Sequence, residues 1–154
     1  AYKAVAFPLA GCFGAIFAGW YSDKYLKSRR GPIAAVMLFL LAIFCSLFYI
    51  TRNLHWAIGF VFLLCIGFLT FGPHVLVVGA IPMDFGSRKA ASSATGFIDG
   101  FGYVGAAITG VGSGFLTENF GWSAAFIFWI IGAIVAGMLM VLMWNVKPKK
   151  GKYH

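Results

Sequence analysis

Five long stretches of this 154-residue chain carry no charged side chain, and that pattern constrains its fold more than any motif does. They cover residues 4–22, 31–51, 53–83, 100–117 and 119–146. A helix crosses the hydrocarbon core of a bilayer, about 30 Å thick, with about 20 apolar residues rising about 1.5 Å each. Each stretch can supply one crossing; the fourth begins earlier, near Ser93, and takes Asp99 inside it. The pattern predicts transmembrane helices over 4–22, 32–50, 56–79, 93–115 and 123–144, in one bundle covering 1–146, with a basic tail over 147–154. Soluble domains seldom bury five helices this long in succession. The expected class is therefore an all-α integral membrane protein with five transmembrane helices.

Composition narrows the alternatives. The chain is 61% apolar and 10% charged, against roughly 45–50% and about a quarter for a soluble domain. Twelve basic residues face four acidic ones, a net charge of +8. Such a surplus could serve nucleic acid, but no basic, aromatic-interleaved soluble module is present, so no nucleic-acid partner is expected. Cys12, Cys45 and Cys65 stand alone in apolar runs and read as packing thiols rather than a disulfide framework. Three dispersed histidines make no metal site, and Asp84 and Asp99 lack catalytic spacing. No enzyme and no cofactor is expected.

The distribution of charge sets the orientation. Ten of the 12 basic residues lie in three connections. Lys24, Lys27, Arg29 and Arg30 follow the first helix, Arg88 and Lys89 the third, and Lys147, Lys149, Lys150 and Lys152 form the tail. With five crossings these share one side, opposite Lys3 and Arg52. The positive-inside bias makes that side and the C-terminus cytoplasmic. Trp20, Trp56, Trp122 and Trp144 fall near predicted helix ends, where an interfacial aromatic belt belongs. No charged segment precedes the first apolar run and nothing resembles a signal peptide. The chain is expected to be the C-terminal part of a larger membrane protein.

The first connection reads GWYSDKYLKSRRG over 19–31. A glycine at a helix end, an acid four residues later and a basic cluster make a tight turn. Gly19 allows close backbone approach. Asp23 can accept from the N-terminal amides of a neighbouring helix, while Arg29 and Arg30 can pair with acids on the facing segment. Contacts of this kind form in one conformation only and can act as a gate. A loop that only sets topology is the plainer alternative; the specific spacing favours the gate.

Gly19, Asp23 and Lys24, followed by Arg29, Arg30 and Gly31, resemble the loop motif of the major facilitator superfamily of transporters. In that superfamily the motif recurs between the second and third, and the eighth and ninth, of twelve spans. Further segments narrow the resemblance: GFLTFGPHVLVVG over 67–79, SRKAASSATGFIDGFGYVGAA over 87–107 and NFGW over 119–122. They resemble the organophosphate:phosphate antiporters, which include glycerol-3-phosphate and hexose-phosphate transporters. The resemblance covers nearly the whole chain and aligns it with spans eight to twelve. It implies exchange of a phosphorylated small-molecule solute for inorganic phosphate by alternating access in a bacterial inner membrane, with N-terminal spans of the same protein and the lipid bilayer as partners. It also implies two phosphate-clamping arginines on the first and seventh spans, outside these residues. The chain alone is therefore not expected to bind phosphate strongly or to transport.

Several side chains stand out against this background. Tyr103, about ten residues into its helix, lies near the bilayer middle, where transporters bind substrate. In the resembling family the matching tyrosine lies near the central site, although tyrosine is also common in packed interfaces. Phe71 should lie at similar depth, where the family's glycerol-3-phosphate transporters carry a phosphate-site tyrosine. It has no hydroxyl, so it reads first as packing and leaves the particular substrate open. Pro73 is expected to kink the third helix. His74 beside it can donate to a phosphate, carry a proton or bond a neighbouring helix. Asp99, an acid about six residues inside a lipid-buried helix, is costly there. It can pair with an absent span, gate, couple a cation, or reach Arg88, Lys89 or interfacial water. Gly96/Gly100 and Gly110/Gly114, like Gly11, Ala15 and Gly19, have the four-residue spacing of close helix packing.

Two functions stand beside antiport. Some relatives of these antiporters sense sugar phosphates and signal to a membrane kinase, on the same fold. Asp99 and His74 would also suit a proton-coupled member of the superfamily that carries another solute.

Overall fold

A computed structural model describes residues 2–51, 55–85 and 87–147. Helix α1 (Tyr2–Tyr25) is followed by α2 (Arg30–Thr51) and α3 (Trp56–Val75). A π-helical turn (Leu76–Ala80) carries α3 without a break into α4 (Ile81–Phe85), and α5 (Arg88–Phe120) and α6 (Trp122–Leu142) complete the chain. Because α3, the π turn and α4 form one 30-residue rod, Trp56–Phe85, the described residues make five rods. Leu, Ile, Phe and Ala occupy every side of α2 and α6, the pattern of helices whose surroundings are apolar all round.

Four of the five rods are long and apolar enough to cross a membrane: those formed by α1, α2, the α3–α4 rod and α6. The fifth, α5, is the longest helix at 33 residues. Its seven glycines, with Asp99, Glu118 and several hydroxyl side chains, keep it below the apolar content of the other four. Five bilayer spans were expected from the charge-free stretches; by apolar content the structure supports four.

The rods also overrun the predicted ranges. The third continues past residue 79 to Phe85, and the fourth covers Arg88–Phe120 rather than 93–115. In the fourth, polar residues continue the helix beyond the apolar run; in the third, residues 80–85 are apolar apart from Asp84. The basic tail lies outside the described residues except for Lys147, as does Arg52.

A π-helical irregularity begins three residues after Pro73. Ile81 N–H bonds to the Leu76 carbonyl, five residues back, in place of the usual four. Pro82 lacks an N–H and crowds the carbonyl four residues before it, inside this turn. An extra residue in the turn makes room. Leu76 within it is almost fully buried, at 1% exposure, and joins Ala18, Ile33, Ala34, Met37 and Leu69 in the core.

Rod α3 lies between α1 and α2, α2 also packs on α6, and α5 is held by α6 and the far end of the α3–α4 rod. The closest approaches fall at glycines. A Cβ on Gly14 would overlap the Phe68 carbonyl; one on Gly67 would come within 2.5 Å of the Phe7 carbonyl oxygen. These are backbone-to-backbone contacts of the kind small residues permit in lipid. Gly11 lies against the Phe71 ring. Gly19, Gly96, Gly100, Gly110 and Gly114 have nothing within 4 Å of a Cβ position. The close packing predicted at those five glycines is not made by any described residue.

Candidate gating site

Four residues, 26–29, reverse the chain between α1 and α2. Lys27 and Ser28 adopt left-handed backbone, with φ of 52° and 59°, at a cost of about 1–2 kcal/mol per non-glycine residue. Hydrogen bonds hold them there. Ser28 N–H donates to the Ser22 carbonyl at 3.0 Å, and Arg29 N–H to the Leu26 carbonyl at 3.0 Å. The fully buried Ser22 hydroxyl donates to the Arg29 carbonyl at 3.0 Å, and the Ser28 hydroxyl to Asp23 Oδ1 at 3.0 Å.

This turn delivers Arg30 as the first residue of α2, where it grips two other rods. Its Nη1 is 2.8 Å from Asp23 Oδ1 on α1, and its Nε donates to Asp84 Oδ2 on α4 at 2.8 Å. Arg30 and Asp84 are largely enclosed, at 11% and 19% side-chain exposure, whereas Asp23 is 58% exposed. A cation at the positive end of a helix macrodipole is unfavourable by itself. The two carboxylates reverse that balance and tie the ends of α1, α2 and α4 into one junction. The π turn matters to it, because one extra residue rotates everything beyond by about 100°. It thereby sets the face of α4 that carries Asp84.

The motif residues around this junction have distinct places. Asp23 binds Arg30 and the Ser28 hydroxyl. Arg29 contributes its backbone carbonyl to the turn, and among the described residues its side chain forms no ion pair. The Lys24 ammonium sits 4.9 Å from the Trp20 ring centroid and 5.5 Å from that of Tyr25, within cation–π range. Gly31 lets α2 meet α6, since a Cβ there would come within 2.5 Å of the Met143 carbonyl oxygen. Asp84, Ser22 and Ser28 were not singled out as members of the junction. The sequence did hold a signal for Asp84: it is the first charge after the third uncharged stretch, and so marks a helix end.

The residues proposed near substrate are not brought together. Phe71 is half-buried against α1, its ring edge-on to Phe7 at 5.9 Å. His74 is exposed, and Tyr103 is 71% exposed on α5. Among the described residues no hydrogen bond, ion pair or ring contact joins these three, and Asp99, half-buried on α5, forms no ion pair. A hydrogen bond from Trp129 Nε1 on α6 to Ser113 Oγ at 2.8 Å adds to the packing of α5 on α6 and on the end of the α3–α4 rod. No group of three or more metal-ligating side chains occurs among the described residues.

Bilayer-length apolar rods joined at one end by an acid–arginine–acid junction define an integral membrane helical bundle. Residues 2–153 match the Major Facilitator Superfamily, and the chain belongs to it: a membrane transporter family, not an enzyme. It is 34% identical over 149 residues to a "Probable hexose phosphate transport protein" of Chlamydia trachomatis, covering 96% of this chain and 32% of the relative. It is 35% identical over 139 residues to a "Glycerol-3-phosphate transporter" of Bacillus subtilis, covering 88% and 31%. It is also 28% identical over 144 residues to the "Membrane sensor protein UhpC" of Escherichia coli, covering 94% and 33%. The chain thus spans about a third of the length of the curated relatives it matches. No solved structure matches it.

Proposed function

We propose that this chain supplies spans eight to twelve of a twelve-span antiporter. The whole protein would exchange an organophosphate, such as glycerol-3-phosphate or a hexose phosphate, for inorganic phosphate by alternating access. Likeness to transporters of those two solutes supports the substrate class. The observation that carries the mechanism is the junction of Asp23, Arg30 and Asp84.

Two 2.8 Å contacts from one guanidinium hold three rod ends together. Separating α4 from α1 and α2 at this end would break both contacts and expose Arg30 and Asp84 to water. The junction therefore stabilises one conformation, and substrate binding can shift the equilibrium by its differential affinity for the two states. In this reading the basic connections face the cytoplasm and α5 is the fifth crossing, its glycine face meeting spans outside this chain. Tyr103 and Asp99 on α5, with His74 and Phe71 on α3, are the side chains proposed to lie toward the substrate path. The phosphate itself would be clamped by arginines outside these residues.

The test is exchange by the full-length protein in phosphate-loaded vesicles. Efflux of labelled phosphate that requires an external organophosphate is the expected result. Solute uptake that collapses with a protonophore and ignores the phosphate gradient would overturn antiport in favour of a proton-coupled carrier using Asp99 and His74. The likeness to a membrane sensor favours one second reading, sugar-phosphate sensing. Folded protein that binds a sugar phosphate, co-purifies with a membrane kinase and shows no turnover would establish it.

A further inference from the structure

Three hollows that share lining residues follow one another along α1 and α2, and neither the junction nor the proposed substrate path uses them. The largest, about 650 Å³, lies between α1, α2 and α3 and is lined by apolar side chains and Cys65. It shares Leu40 and Phe68 with a second hollow of about 390 Å³, which reaches Trp144. The second shares Trp144 with a third, of about 250 Å³, which opens at the α1–α2 turn beside Lys27 and Arg29. Along α1 the apolar lining runs from Ala6 to Tyr21, about 22 Å at 1.5 Å per residue. One leaflet contributes only about 15 Å of hydrocarbon, so the groove is long enough for an extended acyl chain.

Charge distinguishes the two ends. Arg30 is committed to Asp23 and Asp84, and Lys24 to the rings of Trp20 and Tyr25. Lys27 and Arg29 form no ion pair among the described residues, and the other acids, Asp99 and Glu118, are on α5. The mouth therefore carries two uncompensated cations beside Tyr25 and Trp144, aromatic side chains suited to the edge of a bilayer. A protein helix laid in the groove would cover its apolar length but match both cations only if it brought acids to the mouth. A molecule with a hydrocarbon chain and an anionic head matches both ends, as in basic pockets between helices that bind lipid head groups.

We propose that this groove holds one acyl chain of an anionic phospholipid, with the lipid phosphate between Lys27 and Arg29. The inference rests on the reading above that this end of the bundle faces the cytoplasmic leaflet. Native mass spectrometry of the delipidated full-length protein tests it, with phosphatidylglycerol and phosphatidylcholine of identical chains as probes. One phosphatidylglycerol should be retained at concentrations at least tenfold below those needed for phosphatidylcholine. The double variant K27Q/R29Q should bind the two lipids equally, K27R should keep the preference, and L40W, which fills the groove floor, should weaken both. A preference that survives K27Q/R29Q overturns the proposal. So does displacement of the lipid by millimolar inorganic phosphate, which would mark a free-anion site. Cross-linking from Cys65 to another span of the protein would show the groove filled by protein and overturn it too. Retention is read without turnover, so a failure of organophosphate exchange leaves the lipid result standing. Equal binding of the two lipids by the unmodified protein, with exchange intact, would remove the lipid site alone.

Discussion

Gly14 and Gly67 face the α1–α3 contact, while Gly96, Gly100, Gly110 and Gly114 of α5 face open space. Both groups sit in long helices, and in α5 the four-residue spacing is the more regular. What separates them is the partner. At Gly14 and Gly67 a backbone carbonyl occupies the place a Cβ would take; along α5 no described residue does so. Small-residue spacing thus shows that a helix can be approached closely, and contact shows whether the approaching helix belongs to the same stretch of chain. Helix α5 illustrates the second point, being long, mostly exposed and packed within this chain only on α6 and the end of the α3–α4 rod among the described residues.

Gly14→Val should break this comparison most severely. Overpacking costs about 1–3 kcal/mol where side chains can yield; here the obstacle is the Phe68 carbonyl, so α1 and α3 must part. The expected result is loss of monodisperse full-length protein in size-exclusion chromatography. A variant with the parent's elution profile and thermal midpoint would show that α1 and α3 do not approach as described.

The junction should be next in effect, and its members should differ by enclosure. Arg30→Gln leaves Asp84 enclosed without its cation, a change worth about 3–5 kcal/mol when a buried pair is broken from one side. Asp84→Asn should cost less, since Arg30 keeps Asp23. Asp23→Asn, at an exposed carboxylate, should fall within about 0–1 kcal/mol. Thermal unfolding in one detergent checks the order. Equal losses at Asp23 and Asp84 would mean that enclosure does not set the strength of the two contacts.

How far these features could be read from sequence depends on the physics behind each. Charge-free stretches revealed all five rods, because a charge in hydrocarbon is costly enough to leave a gap in the pattern. The same signal underestimates rod ends, where polar residues stay helical; Asp84 and Arg88 lie in such extensions. The partnership of Arg30 with an acid on a facing segment was legible as a possibility. Which acid it would be depended on the π turn near Pro82, and local rules for proline pointed to Pro73 instead. The turn at Lys27 and Ser28 carries no glycine, the usual marker of left-handed backbone. Its strain is offset by bonds from Ser22 and Ser28, which become visible only when both ends of the turn are placed. The glycine pattern of α5 was legible as a packing face, but its partner was not.

Gly110→Leu sharpens the comparison from the other side. Nothing within 4 Å of Gly110 among the described residues would resist the new side chain, and leaving glycine favours an exposed helix by about 0.8–1 kcal/mol. If α5 packs against further spans, exchange by the full-length protein should still fall at least tenfold. Unchanged exchange would place that face toward lipid or water and remove the reason for assigning it a protein partner.

The smallest effect is expected at the bond that attaches α5 to α6. Ser113→Ala removes the acceptor of Trp129 Nε1 and leaves the indole N–H, partly buried, without its partner. A hydrogen bond of this kind contributes about 1 kcal/mol net, so the global midpoint should drop only slightly. The local consequence should be larger than the global one. Gly112 has the Phe128 ring, at 3.8 Å, near a Cβ position, and α5 packs on α6 less extensively than α2 does. Hydrogen exchange should therefore quicken along α5 around Ser113 while α1 and α3 keep their protection. Uniform quickening in all three helices would mean that α5 is part of one cooperative unit with the glycine-packed core. The contrast between filled and open glycines would then have no counterpart in stability.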